Sequence, residues 1–103
     1  MSIMKNKTTR EEYLKILKQF KELYATKYGI TSIGLIGSVA RDEHTEESDV
    51  DVIVEAPTMT IFICMDIQIQ LQKMMRVHVD VVTKSPYMRP RFQARVEREA
   101  IYV

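Results

Sequence analysis

Residues 33 to 55, IGLIGSVARDEHTEESDVDVIVE, set two apolar β-type runs on either side of Gly37-Ser38 and a polar loop, and the second run opens with Asp49-Val50-Asp51. Side chains alternate faces along a strand, so Asp49 and Asp51 share one face while Val50, Val52 and Val54 share the other. Two carboxylates are thereby presented side by side. At a spacing of ~6 to 7 Å and an effective dielectric of ~20, their repulsion is roughly 2 to 3 kcal/mol, and a divalent cation would reverse its sign. Local conflicts of this kind are what functional sites impose on a chain.

The rest of the chain supplies a frame for that stretch. Residues 1 to 7 read as a loose leader. Thr8 with Glu11, or Thr9 with Glu12, satisfies the capping-box pattern, so a helix starts there. Tyr13, Ile16, Leu17, Phe20, Leu23 and Tyr24 recur at helical spacing as a core stripe, and Gly29 supplies the stop. Ile30 to Ile36 is a first strand, Val39 to Asp42 a short helix, and Asp49 to Glu55 a second strand. The polar loop between them leaves His44 exposed to solvent. Thr58 to Arg76 is a helix: Ile63, Ile67, Leu71 and Met74 lie on one face and Phe62, Met65 and Ile69 on an adjacent one. This reads either as a wholly buried helix or as a partly exposed partner surface, core packing being the expectation. Val77 to Thr83 is a third strand, Met88 to Glu99 a basic helix with Pro90 in its first turn, and Ile101 to Val103 a short closing strand. This order predicts a single domain over 1–103 of α/β (α+β) class, a small mixed sheet with helices packed against it.

Two further features bear on the carboxylate pair. If the third strand pairs beside the second, Asp80 comes within one strand spacing, ~4.8 Å, of Asp49 and Asp51 and completes a three-carboxylate cluster. His78 shares that face and is read as a neighbour, because hard divalent cations prefer oxygen donors. The Gly37-Ser38 turn lets the backbone approach a ligand, and amide groups opening a helix suit phosphate oxygens. Arg41, one turn later, can offset their charge. Arg89, Arg91, Arg95 and Arg98 read either as a solvated basic face or as contacts to phosphates or an acidic partner.

Composition excludes several classes. The net charge of +1 gives no sign of a general polyanion-binding surface. One cysteine, Cys64, rules out an intramolecular disulfide and reads as a small core hydrophobe; with only His44 and His78 beside it, no zinc set has plausible spacing. No apolar run reaches the ~18 residues needed to span a bilayer, and the start lacks the apolar stretch of a signal peptide. The expectation is a cytoplasmic protein.

Gly37-Ser38, ten residues, then Asp49-x-Asp51, together with Ala40-Arg41, Ser48, Val-Asp-Val-Val-Thr at 79–83 and the closing REAIYV, resembles the minimal nucleotidyltransferases of the DNA polymerase β superfamily from about Gly29 onward. The resemblance implies a nucleotidyltransferase fold in which Asp49, Asp51 and Asp80 are catalytic and hold Mg²⁺, in a two-metal site, while Gly37, Ser38, Arg41 and Ser48 bind the nucleotide. It further implies transfer of NMP, AMP from ATP, to a hydroxyl, and a HEPN-type helical toxin as hetero-oligomeric partner whose tyrosine is modified, with this chain as antitoxin. Direct nucleic-acid binding is not expected. A catalytically silent binding antitoxin and a small-molecule nucleotidyltransferase are the alternatives. The family commonly has glycine where this chain has Asp42.

Overall fold

A computed structural model describes residues 7–103; apart from Lys7, the expected leader lies outside the described residues. The first helix, α1 (Arg10–Tyr28), is capped by Thr9, whose hydroxyl accepts from the Glu12 N–H while the Glu12 carboxylate returns to the Thr9 N–H. It stops where Gly29 takes the left-handed conformation, φ 68°. Next come β1 (Ser32–Ile36), α2 (Gly37–Ala40), β2 (Val50–Glu55), α3 (Ile61–Met75), β3 (Val79–Thr83), α4 (Pro90–Glu99) and β4 (Ile101–Tyr102). Thr60 caps α3 by accepting from the Ile63 N–H. The short helix α2 begins at Gly37, two residues before its expected start, because the chain turns directly out of β1.

The four strands form one mixed sheet in the order β3-β2-β1-β4. β1 pairs antiparallel with β2 and with β4, whereas β2 and β3 run parallel, joined by the α3 crossover that a parallel pair requires. Alternation then sorts the side chains. Val50, Val52 and Val54 join Ile33, Leu35, Leu17, Phe20, Ile67 and Leu71 in the main core, against α1 and α3. Ile36 and Ile53 turn to the other face and meet Val96, with Phe92 of α4 and Met88, just before that helix, packed against them. Asp51, between Val50 and Val52, therefore belongs to the α4 face.

Four expectations are corrected. Leu23 is exposed, because α1 turns only one stripe toward the sheet. Phe62, Met65 and Ile69, with Ile61, stand in solvent, since α3 is covered by α1 and the sheet on its Ile67–Leu71 side alone. Cys64 is only half-buried.

His44 is the largest departure. It is 3% exposed, with its ring edge-on to Tyr13 at 5.9 Å and its Nε2–H donating to the Thr8 carbonyl at 2.7 Å. Lys7 donates to the His44 carbonyl at 2.9 Å. A nominally polar loop is thus stapled to the start of α1, which fixes the segment leading into Asp49. Replacing His44 with alanine removes a buried hydrogen bond and an aromatic contact, and is expected to cost about 2 kcal/mol. Thermal unfolding should show Tm lowered by about 10 °C. An unchanged Tm would mean the staple contributes nothing.

No helix among the described residues is long and apolar enough to cross a membrane.

Candidate active site

The parallel β2/β3 register sets Asp51 directly beside Asp80. Register partners on neighbouring parallel strands share a face, so both carboxylates look toward the α4 side of the sheet. Asp49 lies one residue before β2 and is exposed. Donor atoms of Asp49, His78 and Asp80 all fall within 4.8 Å of one another. The sequence reading set His78 aside as a neighbour; its Nε2 in fact stands 3.0 Å from Asp80 Oδ1, with both side chains about half exposed. Such a separation suits adjacent ligands of an octahedral ion bound at ~2.1 Å. Asp51 lies outside this donor group but close enough to feel it. Burial, then the Asp80 charge, then the Asp49 charge push its carboxyl above the usual range, against a smaller opposing pull from Arg95. A carboxylate crowded by two others, beside an oxygen and nitrogen donor set open to solvent, fits a divalent cation.

The Gly37-Ser38 turn closes over this cluster. Gly37 has φ +75°, and a Cβ built on it would run into the Asp51 carboxylate. Only glycine allows the turn to lie this close. Its N–H donates to Glu99 Oε2 at 2.6 Å. Arg41, expected to reach a phosphate, gives Nη1 to both Glu99 oxygens at 3.2 Å and Nε to Glu43 at 3.1 Å. These bonds, Glu43 foremost, push its pKa up although burial opposes them. Ser38 opens α2 half-buried, and its carbonyl accepts from the Glu43 N–H. Ser48 accepts from the Thr45 N–H at 2.9 Å and donates its own N–H to the Thr45 carbonyl, forming the turn that delivers Asp49. Asp42 takes φ 59°, a left-handed conformation that Asp tolerates better than most residues and that glycine adopts freely.

Glu99 is the residue that sequence reasoning missed. Its i, i+4 pair with Arg95 is visible in the sequence, but its bond to Gly37 spans 62 positions and has no local signal. A cavity of about 190 Å³ opens between Gly37, Asp51, Phe92, Arg95 and Glu99. A larger cleft of about 420 Å³ lies among Lys7, Tyr13, Glu46, Glu47 and Arg76 and shares no residue with the carboxylate cluster. Its lining mixes Lys7 and Arg76 with Glu46 and Glu47, and its separation from the carboxylate cluster makes it the lesser candidate.

The model of the nucleotidyltransferase domain family matches residues 14–103. A candidate protein adenylyltransferase of Methanocaldococcus jannaschii is 35% identical over 100 residues, covering 92% of this chain and 98% of that one. The protein adenylyltransferase MntA of Thermococcus cleftensis is 35% identical over 98 residues, covering 92% and 96%. Among solved structures, a candidate minimal nucleotidyltransferase superposes with TM-score 0.75 at 28% identity, covering 91% of this chain and 95% of that one. A toxin–antitoxin structure with AMP-PNP shares the fold, with TM-score 0.68 at 20% identity over 87% of this chain and 70% of that one.

Proposed function

The chain belongs to the nucleotidyltransferase domain family and is a nucleotidyltransferase; from that premise we propose that it transfers AMP from ATP to a tyrosine hydroxyl of a HEPN-type partner and thereby acts as an antitoxin. The observation that carries this reading is the meeting of Asp51 and Asp80 across the parallel strand pair, with Asp49 at the same end of β2. Protein adenylyltransferases among the relatives support the acceptor class, and the toxin–antitoxin structure with AMP-PNP supports the adenine nucleotide and the partner. The proposed domain spans 1–103 and works in the cytoplasm.

Asp49, Asp51 and Asp80 are the residues that would hold Mg²⁺, which when bound supplies charge compensation to the triphosphate and to the departing pyrophosphate. The Asp80 carboxylate, hydrogen-bonded to His78, is proposed to orient the acceptor hydroxyl and take its proton. The hydroxyl oxygen forms a bond to the α-phosphorus as the bond to the bridging oxygen of the β-phosphate breaks in line. Gly37, Ser38, Arg41 and Ser48 are proposed to hold the nucleotide, with Ser38 giving a hydroxyl and Arg41 offsetting phosphate charge.

The test is transfer of label from ATP carrying it in the α-phosphate, with Mg²⁺, with and without a small helical protein encoded beside this chain. Label on a partner tyrosine is the expected result. Label on a small amine or alcohol would overturn the protein acceptor. Tight partner binding with no label from any nucleoside triphosphate would leave a silent binding antitoxin instead.

A further inference from the structure

The last residue of α4 reaches across to the turn that opens α2. Glu99 accepts from the Gly37 N–H at 2.6 Å, from Arg41 Nη1 at 3.2 Å and from Arg95 Nε at 3.1 Å, with 13% of its side chain exposed. Donors from β1–α2, from the end of α2 and from α4 therefore converge on one carboxylate. Burial alone would push this carboxyl up. The Gly37 hydrogen bond and the two arginines outweigh burial and hold it below the usual range. Surface pairs of this length contribute little when isolated; this one is a shielded, three-donor arrangement.

We infer that Glu99 is a positioning residue of the nucleotide site, clamping the Gly37-Ser38 turn and the Arg41 guanidinium in the orientation that receives phosphates. The inference rests on the nucleotidyltransferase reading above. Two consequences of the geometry support it. Gly37 is fixed on one side by Glu99 and on the other by the Asp51 carboxylate, with no room for a Cβ, so a shift of the clamp is a shift of the turn. Arg95, bonded to Glu99 through Nε at 3.1 Å, also acts on Asp51 through its charge, so the clamp and the carboxylate cluster share one guanidinium. The basic helix α4 is thus a wall of the site, closing the cavity between Phe92, Arg95 and Asp51.

The test compares wild type with Glu99→Ala and Glu99→Gln in the full chain. Glutamine keeps an acceptor for the Gly37 N–H but loses the charge that faces both arginines, so it separates the turn from the arginine arm of the clamp. Expected results are a KM for ATP raised roughly tenfold by alanine and roughly threefold by glutamine, with kcat little changed. ATP affinity by calorimetry should fall in parallel, and Mn²⁺ affinity of the carboxylate cluster should stay within about twofold. The Gly37 amide proton resonance should move upfield in Glu99→Ala. Unchanged or tighter ATP binding in both variants overturns the inference, and tighter binding would make Glu99 a competitor of phosphate. A parallel fall in kcat, Mn²⁺ affinity and Tm also overturns it, because that pattern marks a merely structural residue. A wild type that binds ATP but transfers no label sinks the proposed function and leaves this test standing.

Discussion

Replacing Asp49 and Asp51 together with alanine is expected to reduce nucleotidyl transfer at least about a thousandfold while leaving the chain folded. The loss follows from removing two of the three carboxylates that meet at the end of the β2/β3 pair, leaving Asp80 without the charge density to hold a cation on a triphosphate. Retained folding follows from the same geometry. Asp49 is exposed, and Asp51 faces α4 rather than the valine core, so neither substitution empties the packed interior. Binding of the proposed partner should survive, which separates catalysis from masking.

The single variant Asp51→Asn sharpens this. The Asp51 carboxyl is pushed up by burial and by Asp80 and Asp49, so the folded chain holds that proton to higher pH than the unfolded chain does. Stability from this group is therefore fully present below the unfolded pKa and is lost as pH rises through the folded one. Asparagine removes that penalty at neutral pH, and Tm in metal-free buffer should rise by about 2 to 4 °C as transfer disappears. A Tm that falls, or transfer that persists, would show that Asp51 is not under like-charge crowding at a catalytic site. Added Mg²⁺ should raise the wild-type Tm and leave the variant nearly unmoved.

The parts of the chain governed by local rules were legible. The Thr9–Glu12 capping box and Gly29 bracket α1 as their chemistry dictates, and the strand alternation that put Asp51 opposite Val50 and Val52 holds in the sheet. The meeting of Asp80 with Asp51 was conditional in the sequence on the third strand pairing beside the second, and the parallel β2/β3 pair, joined by a helix-length crossover, meets that condition. What escaped depends on contacts far apart in sequence. His44 sits in a loop with no apolar neighbours in sequence, and its side-chain partners, Thr8 just before α1 and Tyr13 within it, arrive from more than thirty residues away. Phe62, Met65 and Ile69 have the spacing of a buried face, but the sheet and α1, packed on the Ile67–Leu71 side, cannot cover the whole circumference of α3. Glu99 looked like one charge in a basic helix. Its role depends on the corner between α4 and β4, which aims it at a turn 62 residues earlier.

Gly37→Ala should be the most damaging single methyl that can be added near the site. Gly37 holds φ +75°, a region that costs an L-residue roughly 1 to 2 kcal/mol, and the new Cβ would press on the Asp51 carboxylate, adding overpacking of similar size. Together these predict destabilisation of about 3 kcal/mol, or Tm lowered by about 15 °C, in thermal melts. Transfer should fall even at temperatures where the variant is folded, since relief of the clash moves either the turn or Asp51. The two costs can be separated by a double-mutant cycle. In an Asp51→Ala background the carboxylate is gone and only the backbone cost remains, so the same Gly37→Ala change should cost about half as much. Equal costs in the two backgrounds would mean that the close approach of the turn to Asp51 has no energetic weight, and the glycine would then be needed for its φ alone.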